Sequence, residues 1–480
     1  MGIEQAEAGG ASTALYRVIA DRGSLMPFGG ETEHGNPSDW PGYAAELERA
    51  RLTSGARHAV TTARVTISGE RCVLIGFEFA FLGGSLGTAE GAMIGRAFAA
   101  AIAERVPVVC VAASGGMRMQ EGTSALTQMQ SVAASVGSVR RAGIPFAAVA
   151  GDPTTGGVWA SLVAAADVAL GVDGARISFS GSRTRPAGAD PRSADYYAAG
   201  KWQHGFLDVL GSADDVRGQL GAFVTLLSPR ARADRERYHP GAAGPVRPDS
   251  EDAGRAHGQR DGWQQVLAAR QPGRVASDRW LASCFGTRFE IRGDRAGGVD
   301  HGIRCGFGLN GGQTFGYIAQ SGQATTGAGY RTATRLIGLA ERFGCPVLTL
   351  IDTPGAASGP ADEASGIGTA IAELLVAVAS CSVPITSVVT GEGVSGGAIA
   401  LGAPGNLWIA PDGYLSVAAP ELAASILKRG PDDIAEIASL LRLTPADLTA
   451  RGIVRGVTSP PAESRPAPQG PGGTGTADRR

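Results

Sequence analysis

The feature that most constrains this chain is an internal repeat with an offset of 239 residues. The segment "VPVVCVAASGG" (106–116) aligns with "CPVLTLIDTPG" (345–355), so that Gly116 corresponds to Gly355. The match continues without a gap: residues 143–160 align with 382–399, and residues 172–179 align with 411–418. Upstream, "IAERVP" matches "LAERFGCP" only with a two-residue insertion. Solenoid repeats are far shorter than this, so the pattern predicts two copies of one domain fold.

Within each copy, short apolar segments alternate with Ala-rich amphipathic segments. The run 64–81 has the pattern of a β-hairpin, and 91–105 and 123–142 have the pattern of helices. The apolar runs 106–113 and 144–151 between them are typical of buried strands. Strands and helices that alternate at this spacing form crossover units with helices packed on a sheet. The sequence therefore predicts an α/β fold class with two similar domains.

Composition divides the chain into five segments. We expect an N-terminal extension over 1–60 with one helix, and a first domain over 61–228. A charged, Pro- and Gly-rich stretch at 229–262 is typical of a linker, and a second domain follows over 263–456. The tail 457–480 has the composition of a disordered segment.

Charge and cysteine content exclude several classes of protein. The net charge of the 480-residue chain is −2 and the N-terminal stretch has no basic cluster, which argues against binding to nucleic acid. No apolar run is long enough for a membrane span, and the N-terminus lacks the pattern of a signal peptide. None of the six cysteines lies in a C-x-x-C spacing, so we expect no zinc ribbon and no metal. These features favour a cytoplasmic location.

Glycines stand at equivalent strand ends in the two copies. Gly116 and Gly355 follow a buried strand, and Gly157 and Gly396 follow the next strand 41 residues later. Adjacent strand ends bring backbone N–H groups together, and two converging N–H groups form an oxyanion hole. The alternative is that these are four similar turns inherited by duplication.

The sequence contains no convincing nucleophile. Ser114 is not in a G-x-S-x-G pattern, and the six histidines are scattered along the chain. Asp352 and Glu392 lie beside glycines of the second copy, where turn or capping residues are more common than acids or bases. The residues thus favour chemistry performed by backbone donors, with the base supplied by a substrate or cofactor.

These motifs resemble the carboxyltransferase component of biotin-dependent acyl-CoA carboxylases. The segments "FEFAFLGGSLG", "ASGGMRMQEG" and "GDPTTGGVWAS" resemble the β subunit of bacterial acetyl-CoA carboxylase carboxyltransferase. "GYRTATRLIGLAERFGCPVLTLIDTPGA", "GEGVSGGAIALG" and "APELAASILKR" resemble its α subunit. The chain is therefore similar to a fusion of β and α subunits.

The resemblance implies a crotonase-like ββα spiral superhelix in each half. It also implies a site between the N-terminal half of one protomer and the C-terminal half of another, in a homodimer or higher homo-oligomer. Acyl-CoA would lie on the first half and carboxybiotin on the second. Since the chain has no biotinyl-lysine motif and no ATP-grasp domain, a biotin carboxyl carrier protein and a biotin carboxylase would be partners.

The resemblance assigns roles to particular residues. One oxyanion hole would hold the thioester enolate oxygen and consist of Gly115, Gly116, Gly156 and Gly157. The other would hold the ureido oxygen of biotin and consist of Gly355, Ala356, Gly396 and Gly397. Further contacts to acyl-CoA are implied for Gly83, Gly84, Ser85, Met117 and Arg118.

The chain departs from the family pattern at several places. Residues 1–60 lack the four-cysteine ribbon, and in the second half Ala357, Val394 and Leu422 replace an aromatic residue and two glycines. Two other functions therefore stay open. One is biotin-independent decarboxylation of a malonyl-type thioester, carried on CoA or on a carrier protein, and the other is a non-catalytic role in a carboxylase.

Overall fold

The computed structural model describes residues 14–29, 32–181, 185–228, 246 and 260–459. Within these ranges each half of the chain forms one mixed sheet flanked by helices. The first sheet has the order β1-β2-β3-β4-β5-β6-β8, with β7 paired to β5. The second has the order β14-β13-β12-β11-β10-β9, with β15 paired to β13.

The bounds of the elements are as follows. Strands of the first half are β1 (Met26–Pro27), β2 (Val60–Ile67), β3 (Glu70–Phe77), β4 (Val108–Ser114), β5 (Phe146–Thr155), β6 (Val168–Val172), β7 (Ile177–Ser178) and β8 (Val209–Gly211). Strands of the second half are β9 (Arg288–Ile291), β10 (Ile303–Asn310), β11 (Gln313–Gln320), β12 (Val347–Thr353), β13 (Ile385–Val394), β14 (Leu407–Ile409) and β15 (Tyr414–Ser416).

The α-helices alternate with these strands. Those of the first half are Leu15–Ile19, Tyr43–Ser54, Thr88–Glu104, Gly122–Leu126, Gln128–Arg141, Gly156–Val158, Ala198–Gln203 and Ala213–Leu227. Those of the second half are Gly262–Ala269, Ser277–Cys284, Gly327–Phe343, Pro360–Ala364, Ile367–Ser380, Ser395–Ile399, Pro420–Ile426, Ile434–Leu440 and Pro445–Ala450.

A hairpin begins the repeated part of each half. Its two-residue turn is Ser68–Gly69 in the first half and Gly311–Gly312 in the second, and all four residues have positive φ. This is the backbone of a type I′ turn, whose twist matches that of the flanking strands. The hairpin expected from the sequence is thus confirmed by the antiparallel pairing of β2 with β3.

The repeat is more regular in the structure than in the sequence. The helix Thr88–Glu104 and its counterpart Gly327–Phe343 have the same 239-residue offset as the strands that follow them. Both helices end in a left-handed residue, Arg105 and Gly344, at that same offset. The expected two-residue insertion is therefore wrong, because the shared letters "AER" stand in different registers of the two helices. The length difference lies earlier, in the connection between hairpin and helix, which spans 78–87 in the first half and 321–326 in the second.

Described residues of the N-terminal extension are part of the first half. Tyr16 and Ile19 are completely buried in its core, and β1 pairs with β2. The predicted linker lies almost entirely outside the described residues, as does the tail from 460 onward. The boundaries of the five segments stay predictions. In the described part of the chain, no helix combines the length and apolar character needed to cross a bilayer.

The two halves meet at a buried carboxylate. Asp208 of the first half accepts hydrogen bonds from the backbone N–H of Arg292 at 2.9 Å and from Arg295 at 2.6 Å and Arg335 at 3.0 Å. Burial alone would raise the pKa of Asp208, but the two guanidinium groups bring it below its ordinary value. This ion cluster links the two halves, which also share a hydrophobic core.

Candidate active site

At the end of β4, two backbone N–H groups that the sequence proposed as oxyanion donors are already bonded. The N–H of Gly115 donates to the carbonyl of Gly83 at 2.8 Å, and that of Gly116 to the hydroxyl of Ser114 at 3.0 Å. Gly116 has a φ of +112°, which only glycine adopts readily. The turn directs the chain so that the next N–H, that of Met117, has no acceptor within the described residues.

A second N–H group lies across from it, at the end of β5. The N–H of Gly156 donates to the carbonyl of Phe179 at 3.1 Å, whereas Gly157 is the second residue of a helix and has no intrahelical acceptor. The two strand ends are in contact, because a Cβ added at Gly156 would lie 3.4 Å from the Cα of Gly116. The available donors are therefore Met117 and Gly157.

The second half repeats this arrangement. The N–H of Gly355 donates to the hydroxyl of Thr353 at 3.1 Å, and the next N–H, that of Ala356, meets no acceptor among the residues described. Gly396 again occupies the second position of a helix. A Cβ added at Gly397 would lie 2.6 Å from the nitrogen of Ala356, so only glycine allows this approach.

In each half the donor at the first strand end, Met117 or the expected Ala356, is one residue beyond the glycine that follows the strand. The reason is a hydroxyl two residues before that glycine, on Ser114 in the first half and Thr353 in the second. That hydroxyl occupies the N–H of the glycine itself. A Ser or Thr at this spacing is a visible sequence signal that points to Met117 and Ala356 rather than to Gly116 and Gly355.

The predicted substrate loop Gly83–Ser85 lies directly against β4. The carbonyl of Gly84 accepts from the hydroxyl of Ser114 at 2.6 Å, and a Cβ on Gly84 would lie 2.2 Å from the carbonyl oxygen of Ala113. The loop therefore belongs to the same rigid turn as the donor of Met117. A shallow, open depression of the surface adjoins it, lined by Gly83, Arg49 and Leu82 among others.

Arg118 does not contribute to a substrate surface, contrary to the sequence prediction. Its side chain is fully buried and its guanidinium is bonded inside the protein. The contacts are with the hydroxyl and carbonyl of Ser85 (3.1 and 2.6 Å), Glu90 (2.9 Å), Tyr43 (3.2 Å), His34 (3.2 Å) and Glu121 (3.5 Å). A buried cation surrounded by two carboxylates is a structural centre. It connects Met117 to the loop at Ser85.

The same cluster contains Glu121, which caps the helix that begins at Thr88. Its carboxylate accepts from the backbone N–H of Thr88 at 2.7 Å and from the hydroxyl of Tyr43 at 2.7 Å. Burial alone would raise the pKa of Glu121, but these hydrogen bonds and the charge of Arg118 bring it below its ordinary value. Glu121 is therefore ionised at neutral pH and balances Arg118.

The structure brings together two histidines that the sequence showed as scattered. The rings of His34 and His58 stack with centroids 4.6 Å apart, and both lie close to Glu90. Arg118 can only donate, so it donates to Nδ1 of His34, and the proton is on Nε2, which donates to the carbonyl of Arg57 at 3.2 Å. Neither nitrogen of His34 then has a free lone pair with which to bind a metal ion. The charge of Glu90 is already balanced by Arg118.

We therefore expect a metal-free protein. Chelation with EDTA should leave the thermal midpoint and the activity unchanged, because the His34–His58–Glu90 group has the wrong tautomer and an adjacent cation. Elemental analysis of the purified chain checks this. One equivalent of zinc per chain, lost together with activity on chelation, would contradict the prediction.

In the second half, Asp352 and Glu392 are bonded to neighbouring side chains. Asp352 is buried, pairs with Arg274 at 2.6 Å and accepts from the N–H of Glu392 at 3.2 Å. Glu392 pairs with Arg270 at 2.9 Å and accepts from the hydroxyl of Tyr414 at 2.7 Å. These contacts hold the ends of β12 and β13 together, which favours a structural role over acid–base chemistry.

The three departures from the family pattern leave the second donor pair intact. Val394 is buried at the end of β13, and Leu422 is exposed on the helix Pro420–Ile426. The N–H of Ala357 donates to the carbonyl of Thr325 at 2.9 Å, as that of Arg118 does to Leu86 in the first half. The backbone around Ala356 therefore has the same path as that around Met117.

Comparison with known proteins assigns both halves to described families. Residues 20–187 match the model of the carboxyl transferase domain, and residues 250–467 match the acetyl co-enzyme A carboxylase carboxyltransferase-like family. One relative is acetyl-coenzyme A carboxylase carboxyl transferase subunits beta/alpha of Salinispora arenicola. It is 37% identical to this chain, and the match covers 88% of this chain and 76% of that protein. The corresponding protein of Saccharopolyspora erythraea is 35% identical over 92% of this chain and 79% of its own length.

A more distant relative and a solved structure agree with this result. A probable biotin-dependent acyl-coenzyme A carboxylase beta3 subunit of Mycobacterium bovis is 31% identical over 92% of this chain and 87% of its own length. The structure of transcarboxylase 12S superposes with a TM-score of 0.73 at 20% identity, covering 93% of this chain and 86% of that one. The expected fold class, two crotonase-like α/β domains in one chain, is thereby confirmed. The chain belongs to the carboxyltransferase family of biotin-dependent acyl-CoA carboxylases.

Proposed function

We propose that this protein transfers a carboxyl group from carboxybiotin, attached to a carrier protein, to the α-carbon of acetyl-CoA, giving malonyl-CoA. The observation that carries the proposal is the duplication of one donor geometry. Met117 and Gly157 in the first half, and Ala356 and Gly396 in the second, present N–H groups without acceptors at equivalent strand ends of the described chain. Two such sites suit a reaction in which two oxygens carry developing negative charge.

The first pair would act on the thioester. When a proton leaves the α-carbon of acetyl-CoA, negative charge develops on the thioester oxygen, and fixed N–H donors stabilise it without reorganisation. Loss of one such donor commonly costs about 10²–10³ in kcat. Two contacts hold the backbone at Met117 in place. Arg118 donates to the carbonyl of Ser85, and the Ser114 hydroxyl accepts from the N–H of Gly116.

The second pair fits the ureido group of biotin. A Cβ added at Gly396 would meet nothing within 4 Å, and Ala356 has only a methyl group, so there is space for a ring beside the two donors. Carboxybiotin would supply the carboxyl group and, after releasing it, a base for the α-proton. The chain's part is to bind and orient the ureido oxygen through Ala356 and Gly396.

The second donor pair also separates this function from its competitors. Biotin-independent decarboxylation needs only the thioester site, and a non-catalytic subunit needs neither. The intact geometry at Ala356 and Gly396, despite the changes at Val394 and Leu422, supports carboxyl transfer. A biotin carboxyl carrier protein and a biotin carboxylase would be partners, and a cytoplasmic location stays a prediction.

We expect the active form to be a homodimer or a larger homo-oligomer. Exposed apolar side chains occur in both halves. They are Leu126 and Phe179 in the first half, and Val417, Ile426 and Leu427 in the second. Contact between the first half of one protomer and the second half of another would cover them and place the two pairs face to face. Light scattering should give at least twice the monomer mass, and a fully active monomer at micromolar concentration would contradict this.

The function itself is tested by reconstitution. The protein is mixed with a biotin carboxylase, its biotinylated carrier, ATP and labelled bicarbonate, and acetyl-CoA or propionyl-CoA is added. We expect labelled malonyl-CoA from acetyl-CoA, in amounts that depend on the carrier. Absence of labelled acyl-CoA from both substrates, with a carrier shown to be carboxylated, would reject the proposal.

A further inference from the structure

Two methionine side chains cover Gly157 in the first half. A Cβ added at Gly157 would lie 2.5 Å from the sulfur of Met117 and 2.9 Å from the sulfur of Met129. Both methionine residues are partly exposed. They line the surface immediately next to the donor pair of Met117 and Gly157.

The duplicated half supplies a matched comparison. At the 239-residue offset, Met117 corresponds to Ala356, and Met129 corresponds to Gly368. A Cβ added at Gly396, the counterpart of Gly157, would meet no atom within 4 Å. The strands β4 and β5 and the helix Gln128–Arg141 have the same bounds as their counterparts at this offset, and the helices with Gly157 and Gly396 begin at equivalent residues. The space beside the second glycine is therefore narrow in the first half and open in the second.

We infer that Met117 and Met129 restrict the acyl group to short chains, with acetyl preferred over propionyl and butyryl. This inference rests on the proposed placement of the thioester at Met117 and Gly157. An acyl oxygen within about 3 Å of both N–H groups puts the α-carbon and its substituents beside these two thioethers. Methionine is flexible, so the site would admit longer chains weakly rather than exclude them. One methylene in such a site changes selectivity by roughly 10–200-fold.

The test is a chain-length series on the full-length protein. Dissociation constants and initial transfer rates are measured for acetyl-, propionyl- and butyryl-CoA with the wild type, Met117→Ala and Met129→Ala. Alanine keeps the backbone N–H of residue 117, so the donor pair persists. For the wild type we expect the affinity to fall about tenfold or more from acetyl-CoA to butyryl-CoA. Met117→Ala should remove most of that difference in affinity. Met129→Ala should have a smaller effect in the same direction.

Met119→Ala is the matched control, because Met119 is two residues away and 74% exposed. It should retain the wild-type order of chain lengths. Equal binding of the three acyl-CoAs by the wild type, or an unchanged order in both Met117→Ala and Met129→Ala, would overturn the inference. The order of binding reports on the methionines even if no carboxyl transfer is detected. Absence of carboxyl transfer would reject the proposed function but would leave this inference to be decided by the order of binding.

Discussion

Replacing Gly396 with valine is expected to lower biotin-dependent carboxyl transfer by at least about 100-fold while the chain stays folded. Gly396 has no positive φ, and a Cβ there meets nothing within 4 Å, so the backbone accepts a side chain. The branched side chain would instead occupy the space beside the N–H groups of Gly396 and Ala356. A displacement of about 1 Å at a reacting centre commonly costs about 10²-fold.

Gly338→Val is the control for this variant. Gly338 is an exposed helical residue of the same half, and a Cβ there also meets nothing within 4 Å. Both variants should keep the thermal midpoint within a few degrees of the wild type. Full carboxyl transfer by Gly396→Val would mean that the second donor pair does not bind the ureido group.

Arg118→Met is expected to destabilise the first half strongly. It removes a fully buried cation and leaves the carboxylates of Glu90 and Glu121 without their partner. Breaking a buried ion pair in this way costs about 3–5 kcal/mol of the free energy of unfolding. The urea midpoint of unfolding measures the loss, and transfer activity should fall with it because Ser85 and Met117 lose their support.

A compensated variant tests whether charge is the cause. Adding Glu90→Gln and Glu121→Gln to Arg118→Met removes the two orphaned charges, so part of the lost stability should return. A single Arg118→Met variant as stable as the wild type would show that the cluster contributes little. No recovery in the triple variant would assign the loss to packing instead.

The duplicated architecture was predictable because it depends on local patterns. The hairpins, the buried strands and the long helices follow from apolar periodicity, and the turn at Ser68–Gly69 has a recognisable hairpin sequence. The repeat at 239 residues then predicted two equivalent sites. The register error near "AER" arose because a three-letter match outweighed the helix ends at Arg105 and Gly344, which only the backbone reveals.

The identity of the donors was harder to predict because it depends on which N–H groups are already bonded. Gly115 and Gly116 look like the donors in sequence, but Gly83 and Ser114 accept from them. Similarly, Arg118 stands in a motif that suggests substrate contact. Its burial depends on Glu90 and other residues that are distant along the chain.

Long-range contacts also explain what the sequence concealed near the N-terminus. His34 and His58 are 24 positions apart in a segment without clear periodicity, yet their rings stack beside Glu90. No spacing rule predicts such a contact, because the intervening helix Tyr43–Ser54 sets the distance. The buried Tyr16 shows likewise that this segment packs on the first sheet.

The most direct test of the account is the consumption of malonyl-CoA with and without free biotin. The reverse of the proposed reaction needs biotin as carboxyl acceptor at the second donor pair, whereas simple decarboxylation does not. We predict that the wild type consumes malonyl-CoA only when biotin is present, and that Gly396→Val does not respond to biotin. Consumption at the same rate without biotin, in both proteins, would contradict carboxyl transfer and identify a decarboxylase.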